Sequence, residues 1–400
     1  MFNQILQTHS FEPILLEKAK GSWVWDVDGK KYLDCISGTW CTNLGHNHPR
    51  IIQAMKNQME KLIHRSMWFL TPVTLEAAEK VLKFVPKNYD AVTFLQSGSE
   101  VVEYSINLAQ KITQRRKILS LKDSYLGAFG LAKESSYHSG VASKLKIPYP
   151  ICSASDCSCL DEHNELIDHI SQKYVDELAC FILEPIMVSG GILKPCKAFI
   201  EELCQRLQNA GVLVVSNEVT TGFGRSGKKF GFEHFDIRPD IVAIGKVMGN
   251  GYPVSAILTN NQLTDGLTPA EMYYAQSHQL DPLGAVVAKT VVEVFVEEQI
   301  IKKSQTKITQ IRKIFESLSY PFIKEFRTHG MLFAISVQSH KNYSSKELLI
   351  KLKYELLKEG IIIGASIGKE ILRLIPPLTI TTNEIQILEE KINKVFNLVK

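Results

Sequence analysis

Short, continuous apolar runs recur through the middle of this sequence, at Ala91 to Leu95, Lys117 to Leu121, Leu178 to Leu183, Val212 to Val215, Ile241 to Ile244 and Ser255 to Leu258. Between them, from about residue 50 to 290, lie stretches whose apolar residues fall three and four apart, the period of a helix with one buried face. A strand that is apolar on both faces must be covered on both, and strands that alternate with helices pair as parallel crossovers. The alternation therefore predicts an α/β fold with a mainly parallel central sheet and helices on both faces. After Asp281-Pro282 the pattern is helical to about Leu318, then a strand from Met331 to Val337, a helix from Ser345 to Lys358, strands at Ile361 to Ile363 and Ile371 to Leu374, and a last helix after Thr381. This reads as a smaller α+β domain. Near the start, Trp23-Val-Trp25 and Asp26 to Tyr32 predict a hairpin turning at Asp28-Gly29. The expected division is an N-terminal segment (1–48) packing with the small domain, a large domain (49–285) and a C-terminal small domain (286–400).

With 45% hydrophobic and 22% charged residues the chain can bury a full core. The net charge of +4 is spread out, and the densest basic stretch, Lys111 to Lys117, alternates with apolar residues as a solvated helix face does. Neither nucleic acid nor a membrane is an expected partner. No basic leader with an apolar core precedes Lys20, and no window approaches the roughly 18 apolar residues of a membrane span, so a cytoplasmic location is expected. Eight cysteines are too dilute for a disulfide scaffold. Cys152, Cys157 and Cys159 cluster, but no second ligand pair stands at zinc-site spacing, which predicts a loop of free thiols and no metal.

Lys246 closes the run Asp240-Ile-Val-Ala-Ile-Gly-Lys246, where an apolar strand breaks into a turn rich in glycine and ending at Pro253. A partly desolvated lysine there is suited to imine chemistry. Ser97-Gly98-Ser99-Glu100 ends one strand and opens a helix, and free N–H groups, a glycine and hydroxyls make an anion cup; the simpler alternative is a serine cap. Gly222-Phe-Gly224-Arg-Ser-Gly227 has the spacing of a dinucleotide fingerprint but opens no apolar helix, so nicotinamide binding is not expected. Glu184-Pro185 and Asn217-Glu218 each stand just past a strand, where open α/β sheets bind ligands. Together with Lys246 and the cup they outline a site for a phosphorylated aromatic aldehyde.

These residues, in this order, resemble the class III aminotransferases, pyridoxal-phosphate enzymes of fold type I that include the ornithine, acetylornithine, 4-aminobutyrate and ω-amino-acid transaminases. The resemblance spans nearly the whole chain. It rests on Trp25-Asp-Val-Asp28-Gly29, Leu44-Gly-His46-Asn-His48-Pro49, Ser97 to Glu100, Glu184-Pro185, Asn217 through Gly227 to Lys246 and Pro253, and Leu372-Arg373 to Leu378. It implies that Lys246 forms the Schiff base with pyridoxal 5'-phosphate and shuttles the proton. It implies that Gly98 and Ser99 hold the phosphate, helped by Ser277 from the other subunit of a homodimer. Tyr125 and Val219 would cover the two ring faces, Glu184 and Thr220 would sit beside the cofactor, and Arg373 with Trp40 would bind substrate, an amino donor or a 2-oxo acid.

Several positions depart from the family pattern. Asn217 stands where an aspartate pairs with the protonated ring nitrogen; an amide can accept the same bond but carries no charge, which lowers that nitrogen's pKa by about one unit and weakens the electron sink. Glu184 or Glu218 acting through water could restore it. Ser189 replaces the glutamate that neutralises the C-terminal arginine in ornithine- and 4-aminobutyrate-type enzymes, so Arg373 should stay free. Thr220, Leu126 and Asp281 replace a frequent glutamine, histidine and asparagine. The expected activity is an aminotransferase; the alternatives are an amino-acid racemase or epimerase on the same cofactor, and a non-catalytic cofactor-binding homologue.

Overall fold

The central sheet has seven strands, and every residue of its middle strand, Leu213–Asn217, is buried. The computed structural model describes residues 4–6, 8–137, 145–151 and 159–399. Ahead of the sheet come β1 (Leu16–Lys20), β2 (Trp23–Asp26) and β3 (Lys31–Asp34). The sheet itself is β4 (Ala91–Leu95), β5 (Lys117–Leu121), β6 (Leu145–Ile147), β7 (Leu178–Leu183), β8 (Leu213–Asn217), β9 (Ile241–Ile244) and β10 (Ser255–Thr259). The β5–β6, β5–β7, β7–β8 and β8–β9 pairs are parallel, and β10 runs antiparallel to both β4 and β9. The α/β fold expected from the alternating runs is thus the fold observed. The cysteines at 152 and 157 lie outside the described residues, and Cys159 opens the helix Cys159–Lys173.

Alternate residues of β7 explain why both faces are covered. Cys180 and Ile182 pack with Val102, Ile106 and Ala109 of the helix Gly98–Thr113, whereas Phe181 and Leu183 pack with Phe199, Ile200 and Leu203 of the helix Lys197–Asn209. Because β7, β8 and β9 are parallel, their carboxyl ends share one edge, and Glu184, Asn217 and Lys246 follow them there.

The helical pattern after Asp281 is two helices, Pro282–Glu297 and Ile300–Ser317, separated where Gln299 takes a left-handed φ of 52°. The division expected at 285/286 falls inside the first helix, which packs against the helices Pro49–Met59 and Pro72–Phe84. A second sheet combines β11 (Ile323–His329), β12 (Leu332–Val337), β14 (Gly364–Ser366) and β15 (Ile371–Leu374), all antiparallel. The hairpin β2–β3 turns where Gly29 has φ 81°, and β3 pairs in parallel with β13 (Ile361–Ile362), tying the N-terminal residues to the C-terminal ones.

Candidate active site

Beyond β9, Gly245 is extended and Lys246 turns to φ 43°, opening a single 3-10 turn to Met248. That backbone is unfavourable for a lysine and is the kind of strain found at functional sites. Its Nζ donates to Thr220 Oγ1 at 2.8 Å and lies 5.3 Å from the centre of the Trp40 ring. Burial pulls the amine's pKa below the ordinary lysine value, against the opposing pull of Cys41 and Glu184. It faces a cavity of about 200 Å³ lined by Gly98, Ser99, Tyr125, Leu126, Gly127, Asn217, Val219, Thr220 and Lys246.

The helix Gly98–Thr113 reaches this cavity with its first turn. Ser97 is its cap: its Oγ accepts from Glu100 N at 3.2 Å, while Glu100 Oε2 accepts from Ser97 N at 2.7 Å. The simpler reading of that serine is therefore the observed one, and the cup is left to Gly98, Ser99 and Gly127. Ser99 Oγ accepts from Ala128 N at 3.0 Å and keeps its own proton to donate. A Cβ on Gly98 would stand 2.6 Å from Val219 Cγ1, so this position holds the cavity open only as glycine.

In the same cavity, the Tyr125 backbone is held on both sides of its Cα. Its N–H donates to Glu184 Oε2 at 2.8 Å, and its C=O accepts from Asn217 Nδ2 at 3.2 Å. Glu184 Oε1 accepts from Val188 N at 3.2 Å, and burial pushes the Glu184 carboxyl up to about 7. Asn217 Oδ1 accepts from Val219 N at 3.2 Å. Glu218, expected as a possible substitute for the missing carboxylate, is committed elsewhere: it accepts from Gly231 N, Phe232 N, Thr221 Oγ1 and Ser216 Oγ and does not line the cavity.

The substrate end rests on a segment whose conformation the sequence does not announce. Ser37, Gly38, Thr39 and Trp40 have φ of 48°, 53°, 65° and 71°, one left-handed helical turn. Each non-glycine residue there costs about 1–2 kcal/mol. Asp34 holds the turn, its carboxylate accepting from Ile36 N at 3.0 Å and Gly38 N at 2.7 Å and meeting His46 Nε2 at 2.7 Å; Ser37 Oγ donates to Ile375 O at 2.6 Å. The turn sets the Trp40 ring within reach of both Lys246 and Arg373, whose Cζ is 5.1 Å from the ring centre. Arg373 is half-buried on β15, and its Nε has no hydrogen-bond partner among the described residues. Ser189 is half-buried. Ser277 is exposed and does not line this chain's cavity. Its loop is anchored by Asp281, which pairs with Nδ1 of His64 at 2.8 Å and of His278 at 2.5 Å.

A desolvated lysine beside a helix N-terminus at the carboxyl edge of a mainly parallel sheet is the arrangement expected of a fold-type-I pyridoxal-phosphate enzyme. The donor set fits the cofactor: a desolvated amine, a cup of Gly98, Ser99 and Gly127, and an apolar wall at Val219. A profile of the family "Aminotransferase class-III" matches residues 6–396. The chain belongs to the class III aminotransferases, and its reaction is pyridoxal-phosphate-dependent transamination. It is 31% identical to ornithine aminotransferase 1 of Staphylococcus aureus (strain MRSA252), over 96% of this chain and 94% of that one. It is 28% identical to acetylornithine aminotransferase of Methanothermobacter thermautotrophicus, over 95% and 93%. The solved acetylornithine aminotransferase of Elizabethkingia anophelis superposes with a TM-score of 0.81 at 27% identity, over 98% and 96%. These relatives lend nothing to the racemase alternative.

Proposed function

We propose that Lys246 is the residue that holds the cofactor covalently and moves the proton, and that Arg373 receives a carboxylate shared by the amino donor and the 2-oxo acid. The observation that carries this reading is the Lys246 amine, desolvated inside a cavity with a hydroxyl partner and, among the described residues, no carboxylate in contact. A lowered pKa leaves more of the amine neutral and nucleophilic at physiological pH. When bound, pyridoxal phosphate supplies an aldehyde carbon that exchanges amino groups and a ring that accepts electrons. With the cofactor bound, Lys246 Nζ would be the group that takes a proton from the substrate carbon and gives it back, and Thr220 Oγ1, its hydrogen-bond partner, would orient it. Gly98 and Ser99 would bind the phosphate, Tyr125 and Val219 the two faces of the ring, and Glu184 would fix Tyr125.

Arg373 is suited to a carboxylate because its Nε has no partner among the described residues and its guanidinium lies 5.1 Å from the Trp40 ring centre. With Ser189 in the glutamate's place, no neighbouring acid competes for it among the described residues. We assign substrates bearing a carboxylate next to the reacting carbon or at the chain's far end, such as those named for the ornithine and acetylornithine relatives. The enzyme is a homodimer in this reading, with Ser277 completing the phosphate site of the partner; exposed Trp68, Phe69 and Tyr273 supply apolar surface for that contact. The unbridged thiols of Cys35, Cys41, Cys180 and Cys204 suit the reducing cytoplasm.

The test is borohydride reduction of protein purified with pyridoxal phosphate, followed by peptide mapping. The pyridoxyl group should fall on Lys246, and the visible band should bleach with a carboxylate-bearing amine and return with a 2-oxo acid. Label on another lysine, or a band unchanged in Lys246→Ala, would sink the assignment.

A further inference from the structure

We infer that Asn217 meets the ring nitrogen of the bound cofactor as a hydrogen-bond donor and thereby holds that nitrogen unprotonated. This rests on the reading of the cavity given above. The polarity of the Asn217 amide is fixed by the backbone around it. Its Oδ1 accepts from Val219 N at 3.2 Å and its Nδ2 donates to Tyr125 O at 3.2 Å. A peptide N–H can only donate and a peptide C=O can only accept, so the two ends of the amide cannot be exchanged. Asn217, Val219 and Tyr125 all line the cavity. The amide that remains for a ligand is one unused N–H and one lone pair, on a side chain that cannot turn over.

Charge decides which of the two is used. A protonated ring nitrogen is a buried cation, and such a cation is expensive unless an anion faces it. None of the residues lining the cavity is acidic, and one, Lys246, is basic. Of the carboxylates nearby, Glu184 has both oxygens taken by the Tyr125 and Val188 N–H groups, and burial favours its neutral form. Glu218 is turned into Ser216, Thr221, Gly231 and Phe232. The ring nitrogen therefore gives up its proton and becomes an acceptor, and the unused N–H of Asn217 is its donor. An aspartate would set a carboxylate oxygen against the Tyr125 carbonyl at the same 3.2 Å, two acceptors without a proton between them. Position 217 is built for an amide, and the expectation that Asn217 would accept a bond from the ring is reversed.

The experiment uses the holoenzyme reconstituted with pyridoxal phosphate labelled with ¹⁵N in the ring. The resonance should lie in the neutral-pyridine range and stay there on both sides of neutral pH. A resonance in the pyridinium range, with the cofactor fully bound and Lys246 labelled by borohydride, overturns this inference alone. A protein that takes up no cofactor overturns the site reading and the inference together. A second measurement compares apoprotein affinity for pyridoxal phosphate and for its analogue with C–H in place of the ring nitrogen. Losing one neutral hydrogen bond should weaken binding by about tenfold at most, or 1.4 kcal/mol. A loss of about a hundredfold or more marks a charged bond to the nitrogen and refutes the donor role.

Discussion

A single methyl group at Gly98 tests whether the cavity has the shape a cofactor needs. The Cβ of Gly98→Ala would lie 2.6 Å from Val219 Cγ1 and 3.1 Å from Cγ2. The Val219 backbone is restrained, because its N–H is tied to Asn217. The isopropyl group must yield into the cavity. Overpacking of this kind costs about 1–3 kcal/mol. Alanine returns about 0.5–1 kcal/mol by stiffening the unfolded chain and the helix start, since Gly98 is not at positive φ. The apoprotein should thus melt only a few degrees lower, whereas cofactor affinity, which bears the whole steric cost, should fall about 5- to 150-fold. Absorbance titration of apoprotein with pyridoxal phosphate gives the affinity, and calorimetry gives the melting temperature. Val219→Ala removes both clashing methyls, so the double variant should recover most of the loss, with a coupling of about 1–3 kcal/mol. Wild-type affinity in Gly98→Ala, or simple additivity in the double variant, would refute the reasoning.

Other consequences can be measured directly. Burial raises Glu184 from 4.5 to about 7, so the folded protein keeps a proton that the unfolded chain releases. Its contribution is full below about pH 4.5 and is lost as pH rises through about 7, on the order of 3 kcal/mol; denaturant midpoints across that window should fall in the wild type and flatten in Glu184→Gln, and a flat wild-type profile would exclude it. Thr39, exposed at φ 65°, should gain about 0.5–1 kcal/mol on replacement by glycine, and a lower melting temperature would argue against the left-handed turn. Arg373→Met should lower kcat/KM about 10- to 150-fold for an amine carrying a carboxylate and leave its uncharged counterpart nearly unchanged; equal losses for both would remove Arg373 from carboxylate binding.

How much of this was legible in the sequence follows from what each element needs in order to form. β5, β7 and β9 are buried on both faces, so their apolar runs announce them, and the observed bounds are the expected ones. β6 has only one fully buried residue and β11 none, so neither leaves an apolar run to read. The break at Gln299 carries no glycine or proline to mark it. The turn at Ser37 to Trp40 is hidden for a related reason: three of its four residues are poor candidates for positive φ. What compels them is the Asp34 carboxylate, bonded to two turn N–H groups and to His46. Local propensity loses there to a contact made after the chain has folded.

Asn217 separates what a residue type says from what its setting says. As a letter it marks the loss of a charge, and from that alone a weakened acceptor is the natural expectation. The folded chain adds a fixed polarity, because the two peptide groups that hold the amide leave no choice of which end is oxygen. The backbone of Tyr125 links Asn217 to Glu184, the first bonded to its C=O and the second to its N–H, in the two successive peptide groups. An aspartate at 217 would place a second buried carboxylate on the other side of the Tyr125 backbone from Glu184, which burial already pushes toward neutrality. Two such acids would compete for one amine, Lys246, and raise each other's pKa further. With the amide, the cavity contains a single strongly basic side chain and no obligatory anion. Lys246 is then drawn toward its neutral, reactive state by burial, with no new counter-charge at 217 to oppose it. The substitution that weakens the electron sink at one end of the ring thus favours the nucleophile at the other.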